Sequence, residues 1–118
     1  MDLEILRLYC IGKPAVTEGF PFDETTLVFK VMGKMFALLS LDSMPSQINL
    51  KCDPEKALEL RAEYPAILPG YHMNKSHWNT LILDGSIPRQ LVFDLIDHSY
   101  RLVFDGLPKK VREQVKDE

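Results

Sequence analysis

Between residues 16 and 52 apolar side chains recur at every second position rather than every third or fourth, a rhythm that suits a pleated sheet and not a helix. Leu27, Phe29 and Val31 alternate with Thr26, Val28 and Lys30, and Ile48, Leu50 and Cys52 alternate with Gln47, Asn49 and Lys51. A Met32-Gly33 pair before the run Lys34 to Leu41 has the spacing of a tight hairpin whose glycine takes positive φ. Val16 to Phe20 adds a shorter run, stopped by Pro21. Four successive strands joined by short turns predict a meander with one covered face and one open face.

Helical signals flank this block. Residues 2 to 11 place Leu3, Leu6 and Cys10 on one side, with Asp2 and Glu4 at the positive end of the helix dipole and Gly12 and Pro14 as stops. Asp53-Pro54-Glu55 gives a cap, a proline at the first position and an acid in the first turn of a helix ending near Glu63. Its stripe is modest: Ala57, Leu58 and Arg61 or Ala62. Residues 64 to 75 read as a structured loop or short extended piece, and His77 to Leu83 as a further strand. From Pro88 onward Leu91, Val92, Leu95, Ile96, Leu102 and Val103, with Ser99 between them, follow one buried helical face. Gly106 and Pro108 end it, before a short charged helix. The predicted class is α+β: a single domain, residues 1–118, built as a two-layer α/β sandwich with a mainly antiparallel sheet and helices on one face.

A chain of 118 residues with 46% hydrophobic content can close such a core without a metal or a disulfide. Cys10 and Cys52 lack CxxC spacing, which fits a reducing compartment. The longest apolar run, Met35 to Leu39, is far too short to span a membrane, and the opening MDLEILRL has acids where a signal peptide has bases. The expected location is the cytoplasm, with no membrane partner. Net charge is −3, so attraction to nucleic acid has to come from a local surface. From Thr25 to Cys52 the only acid is Asp42, against Lys30, Lys34 and Lys51; from Tyr64 to Leu83 there is no acid beside Lys75. By strand phase Lys30, Lys51, Gln47 and Asn49 point outward, so one sheet face is expected to be cationic. The competing reading is that these lysines guard the sheet against edge-to-edge aggregation.

The segment PGYHMNKSHWN, residues 69–79, gathers Tyr71, His72, Asn74, Lys75, His77 and Trp78. Such side chains stack on bases, meet phosphate or read an adenine edge. Each also has a structural reading: Trp78 as a core anchor, Asn74 as a turn cap, and the histidines as hydrogen-bonded scaffold. His72 and His77 lack a third ligand nearby in sequence, so no metal or other cofactor is expected. Cys10 sits in an apolar helix, Glu18 and Asp23 show no acid–base partner, and GxGxxG, P-loop and GxSxG motifs are absent; no enzyme is expected.

Four ordered blocks, GKPAVTEGFPF (12–22), FKVMGKMFALL (29–39), PGYHMNKSHWNT (69–80) and SYRLV (99–103), resemble the bacterial MmcQ/YjbR family of small cytoplasmic proteins. The resemblance runs roughly from Cys10 to Leu107. It implies a sandwich related to the frataxin (CyaY-like) fold, and binding to DNA. The sequence departs from the family pattern at Ser76, where relatives often carry another base beside Lys75. The frataxin analogy would also suggest an acidic iron-binding ridge on the first helix, but only Asp2 and Glu4 precede Arg7, so none is expected.

The leading expectation is therefore a non-enzymatic module for double-stranded DNA. Lys30, Lys34, Lys51 and Lys75 would meet phosphate, with Tyr71, His72, Asn74, His77 and Trp78 close by. One alternative is a protein-interaction module whose open sheet face exposes Phe36 or Leu38 beside the lysines. Another is a small anionic-ligand site built from His72, Lys75 and His77. The first two require that residues distant in sequence converge on folding.

Overall fold

The computed structural model describes residues 2–70 and 73–115. Its order is α1 (Leu3–Ile11), β1 (Val16–Gly19), β2 (Thr26–Val31), β3 (Lys34–Ser40), β4 (Gln47–Lys51), α2 (Pro54–Glu63), β5 (Ile67–Pro69), β6 (Trp78–Ile82), α3 (Arg89–Asp105) and α4 (Lys109–Gln114). Each predicted element is present, usually within one residue of its expected ends. The six strands form one antiparallel sheet in the order β1-β2-β3-β4-β6-β5. Residues 64–75, read as a structured loop or a short extended piece, hold β5, an edge strand of three residues.

Local chemistry explains the boundaries. Asp2 accepts from the Glu4 N–H at the start of α1, and Asp53 accepts from the Lys56 N–H at the start of α2. Ser99, Val92, Leu95, Ile96 and Val103 of α3 turn towards the sheet and bury. Leu58, expected on the apolar stripe of α2, is exposed instead; Ala57 and Leu60 are the buried pair. Phase explains the difference, because positions 57, 60 and 61 share a face and 58 is rotated out of it.

The registers assign two faces. Leu27, Phe29, Ala37, Leu39, Ile48, Leu50, Leu81 and Ile67 point towards the helices and form the main core. A bulge shifts the β2–β3 register, so that Phe29 opposes Ala37 while Lys30 opposes Met35. Phe36 is the extra residue, and its ring enters the core against Tyr100, centroids 5.3 Å apart. The expectation that Phe36 lies exposed beside the lysines is therefore wrong.

The second face is not bare. Val28, Leu38 and Trp78 form a separate buried cluster there, with Met35 and Met73 packed against it. Leu38 faces outward as its phase predicts, yet this small second core covers it, so it too is not exposed. A one-face-covered sheet is thus only part of the architecture.

Met32 and Gly33 both have positive φ, 48° and 83°, as a two-residue hairpin turn of right-handed twist requires. Glycine accepts this without strain, whereas methionine does not. Met32→Asn should raise stability by about 0.5–1 kcal/mol, because asparagine tolerates the left-handed region and the exposed methionine gives up little buried area. A urea midpoint no higher than that of the parent would contradict this account of the turn.

Candidate nucleic-acid interface

Strand phase sets the electrostatics of the second face. Thr17 of β1, Lys30 of β2 and Met35 of β3 are successive cross-strand partners, and Lys51 of β4 opposes Trp78 of β6. Lys30 and Lys51 share this face with one strand between them, on the order of 10 Å apart at the backbone. The six strands hold a single carboxylate, Glu18. It opposes Phe29 and so faces the helices, where Arg7 of α1 donates to both of its oxygens at 2.8 and 2.6 Å. Nothing anionic from the strands remains beside Lys30 and Lys51.

The other two lysines reach the same end of the sheet by different routes. Lys34 opposes Val31, so its register is that of the helix-facing side, contrary to a grouping of all four lysines on one face. It nevertheless lines a shallow 290 Å³ cleft with Lys51, Met35, Leu102 and Leu107, closed by the last turn of α3. The unpaired carbonyls of a helix C-terminus favour ammonium groups there. Lys75 lies in the β5–β6 loop, which is tied to the exit of β4 where the Cys52 N–H donates to the His77 carbonyl at 2.7 Å. The four lysines therefore converge on one end of the molecule, and two of them on one face. Lys109 and Lys110, in the first turn of α4, follow Leu107 within three residues and add charge that the sequence reading did not select.

The aromatic segment behaves differently from its expected role. Trp78 is 9% exposed and packed in the second core, so it offers no face for stacking on a base. Asn74 builds a turn: its side-chain oxygen accepts from the Ser76 N–H at 3.0 Å, and its carbonyl accepts from the N–H groups of His77 and Trp78. His77 is exposed. Tyr71 and His72 lie outside the described residues. The small-ligand reading at His72, Lys75 and His77 consequently rests on two described side chains.

One organising residue escaped the sequence reading. Arg61 of α2 donates to the Asn79 side-chain oxygen at 2.7 Å, to the Trp78 carbonyl at 3.1 Å, and to the Lys75 carbonyl. It thereby pins the loop that carries Lys75. The only hint was a cationic residue on the inner stripe of an otherwise exposed helix.

A second polar group joins α1 to α3. Asp97 accepts from the Tyr9 hydroxyl at 2.8 Å and pairs with Lys13, and the Tyr100 hydroxyl donates to the Pro14 carbonyl at 2.7 Å. The Lys13 ammonium also lies 4.8 Å from the Tyr9 ring centroid and 5.4 Å from that of Tyr100. Here the blocks around 12–22 and 99–103 meet, in a brace whose partners already satisfy one another. Burial pushes the Cys10 thiol up to about 12, which keeps it protonated and unreactive near neutrality. Among the described residues no three His, Cys, Asp or Glu side chains come together as a metal site, and no helix is long and apolar enough to cross a membrane.

Known proteins share both sequence and architecture with this chain. The YjbR family model matches residues 11–102. Escherichia coli O157:H7 YbdF is 45% identical over 96% of this chain and 93% of its own length, and YjbR of E. coli K12 is 33% identical over 96% of both. Among solved structures, Deinococcus radiodurans DR2400 superposes with a TM-score of 0.89 at 44% identity, covering 95% of this chain and 86% of that one. A Pseudomonas syringae protein superposes with a TM-score of 0.74 at 29% identity, covering 86% and 98%. A match of this extent, in sequence and in fold together, makes the chain a member of the YjbR family.

Proposed function

We propose that this chain is a non-enzymatic module that binds double-stranded DNA through its lysine-bearing end. One observation carries the reading: Lys30 and Lys51 share a sheet face whose strands offer no carboxylate, and Lys34 shares a cleft with Lys51. An acidic protein can hold an anion on such a face, because screening in cell-like salt acts over roughly 8 Å and keeps distant charges from cancelling it. With Trp78 buried and Asn74 occupied in its turn, the contacts available among the described residues are chiefly ammonium to phosphate. The expected binding is consequently tolerant of sequence.

Four phosphate contacts, from Lys30, Lys34, Lys51 and Lys75, give a salt slope of about −3.6, so affinity for a labelled duplex should fall roughly a hundredfold between 50 and 200 mM salt. The Lys30→Glu/Lys51→Glu double variant should bind at least about tenfold more weakly at the lower salt, with an unchanged melting temperature because both side chains point away from the main core. Fluorescence anisotropy measures both effects. No binding at 50 mM salt, a flat salt dependence, or full affinity in the double variant would each reject the proposal.

A further inference from the structure

The end of the sheet opposite the lysines has the reverse character. The β1–β2 connection, residues 20–25, and the β3–β4 connection, residues 41–46, both leave the sheet there. They expose Phe20, Phe22 (63%), Leu41 and Met44 (94%), four of the seven exposed large hydrophobic residues among the described residues. Scattered singly such residues mean little, but a group in two neighbouring loops marks an interaction surface. Beside them a 530 Å³ cleft opens between the first turns of α1 and the strand ends, with Leu3, Phe20, Leu27, Leu39 and Leu41 among its walls. Its one base, Arg7, is already neutralised by Glu18 and Glu4. The two loops contribute Asp23, Glu24 and Asp42 and no lysine or arginine. The first loop also has a defined shape, since Asp23 accepts from the N–H groups of Thr25 and Thr26 at 2.9 and 2.7 Å.

We propose that this end docks a basic amphipathic helix of a partner protein. Its aliphatic or aromatic side chains would enter the cleft and cover Phe22 and Met44, while its lysines or arginines meet Glu24 and Asp42. Charge complementarity selects a cationic partner over an acidic one. An added β-strand fits poorly at these loops, because Pro21 and Pro45 offer no N–H for a ladder; a helix in a groove needs none. The surface is independent of the lysine end, at the other pole of the sheet.

The test uses a synthetic, labelled helical peptide with leucine at i, i+3, i+4 and i+7 spacing and lysine elsewhere. It should bind the full chain, and binding should weaken at least about tenfold for Phe22→Ser/Met44→Ser and for Glu24→Lys/Asp42→Lys. These positions are exposed, so melting temperatures should stay at the parent value. A peptide with its leucines replaced by serine, and another with its lysines replaced by glutamate, should both fail to bind. The Lys30→Glu/Lys51→Glu variant should bind the peptide as the parent does, which separates this surface from the DNA reading. Absence of binding, equal binding of either control peptide, or full affinity in both loop variants would overturn the proposal. So would concentration-dependent self-association in sedimentation that Phe22→Ser/Met44→Ser abolishes, since a second copy of this chain would then be the occupant.

Discussion

Replacing Arg61 by alanine should destabilise the protein by about 3–4 kcal/mol, although the residue lies on a largely solvent-facing helix. The helix itself is nearly indifferent, since arginine and alanine have similar helical propensities. The cost comes from three acceptors on the β5–β6 hairpin: the Asn79 side-chain oxygen, the Trp78 carbonyl and the Lys75 carbonyl. Hydrogen bonds from a charged donor contribute about 1.5–3 kcal/mol each, and water entering the rim at Lys75 recovers part of the sum. Asn79 is the expensive member. It is fully buried and its amide nitrogen already lacks a partner, so losing Arg61 leaves both ends of the amide unsatisfied.

Thermal melting should show a drop of roughly 10–15 °C. Arg61→Lys should recover less than half of the loss, because an ammonium cannot reproduce the forked geometry that reaches side chain and backbone together. Combining Arg61→Ala with Asn79→Ala should cost less than the two changes added, by about 1–2 kcal/mol, since the orphaned amide is gone. A cost below about 1 kcal/mol for Arg61→Ala would show that the hairpin holds its shape without the guanidinium.

Arg61 also marks where a sequence stops being readable. Period-2 and period-3.6 patterns report which side of an element faces a core, and with the cap and turn signals they located the longer elements and the Met32-Gly33 turn, while β5 stayed open between a structured loop and a short extended piece. They do not report where a long side chain ends, and Arg61 matters only at its tip, against carbonyls that any residue could supply. The bulge at Phe36 failed for a different reason: one inserted residue reverses the phase of everything after it, and no local signal announces it. Lys34 is on the unexpected side of the sheet through the same register. Trp78 was legible as either an anchor or a stacking platform, and choosing between them required Val28, Leu38 and Met73 to be seen around it. For the candidate site, charge segregation along the chain pointed to one cationic sheet face, whereas the registers put Lys30 and Lys51 on that face and Lys34 on the other. Their distribution over faces was a tertiary fact.

Ser99→Ala should cost about 2–3 kcal/mol for the loss of one oxygen atom. Ser99 lies fully buried on the inner face of α3. Its hydroxyl accepts from the Lys51 N–H at 2.9 Å and donates to the Phe36 carbonyl at 2.5 Å. Those two backbone groups lie at the exit of β4 and at the bulge of β3, where ordinary ladder pairing is interrupted. Leaving a buried donor or acceptor unmade costs about 1–3 kcal/mol, and alanine regains only about half a kcal/mol through its better helical propensity. Ser99→Thr keeps the hydroxyl and adds a methyl group to a packed site, so overpacking would cost it about 1–3 kcal/mol while the Lys51 amide stays protected. Hydrogen exchange separates the mechanisms: the Lys51 amide should exchange faster in Ser99→Ala and remain slow in Ser99→Thr. Ser99→Ala leaves every lysine in place, so the salt dependence of DNA binding should be the same in folded Ser99→Ala as in the parent. Unchanged stability and unchanged Lys51 exchange in Ser99→Ala would mean that packing alone seats α3 on the bulge, with no contribution from the hydroxyl.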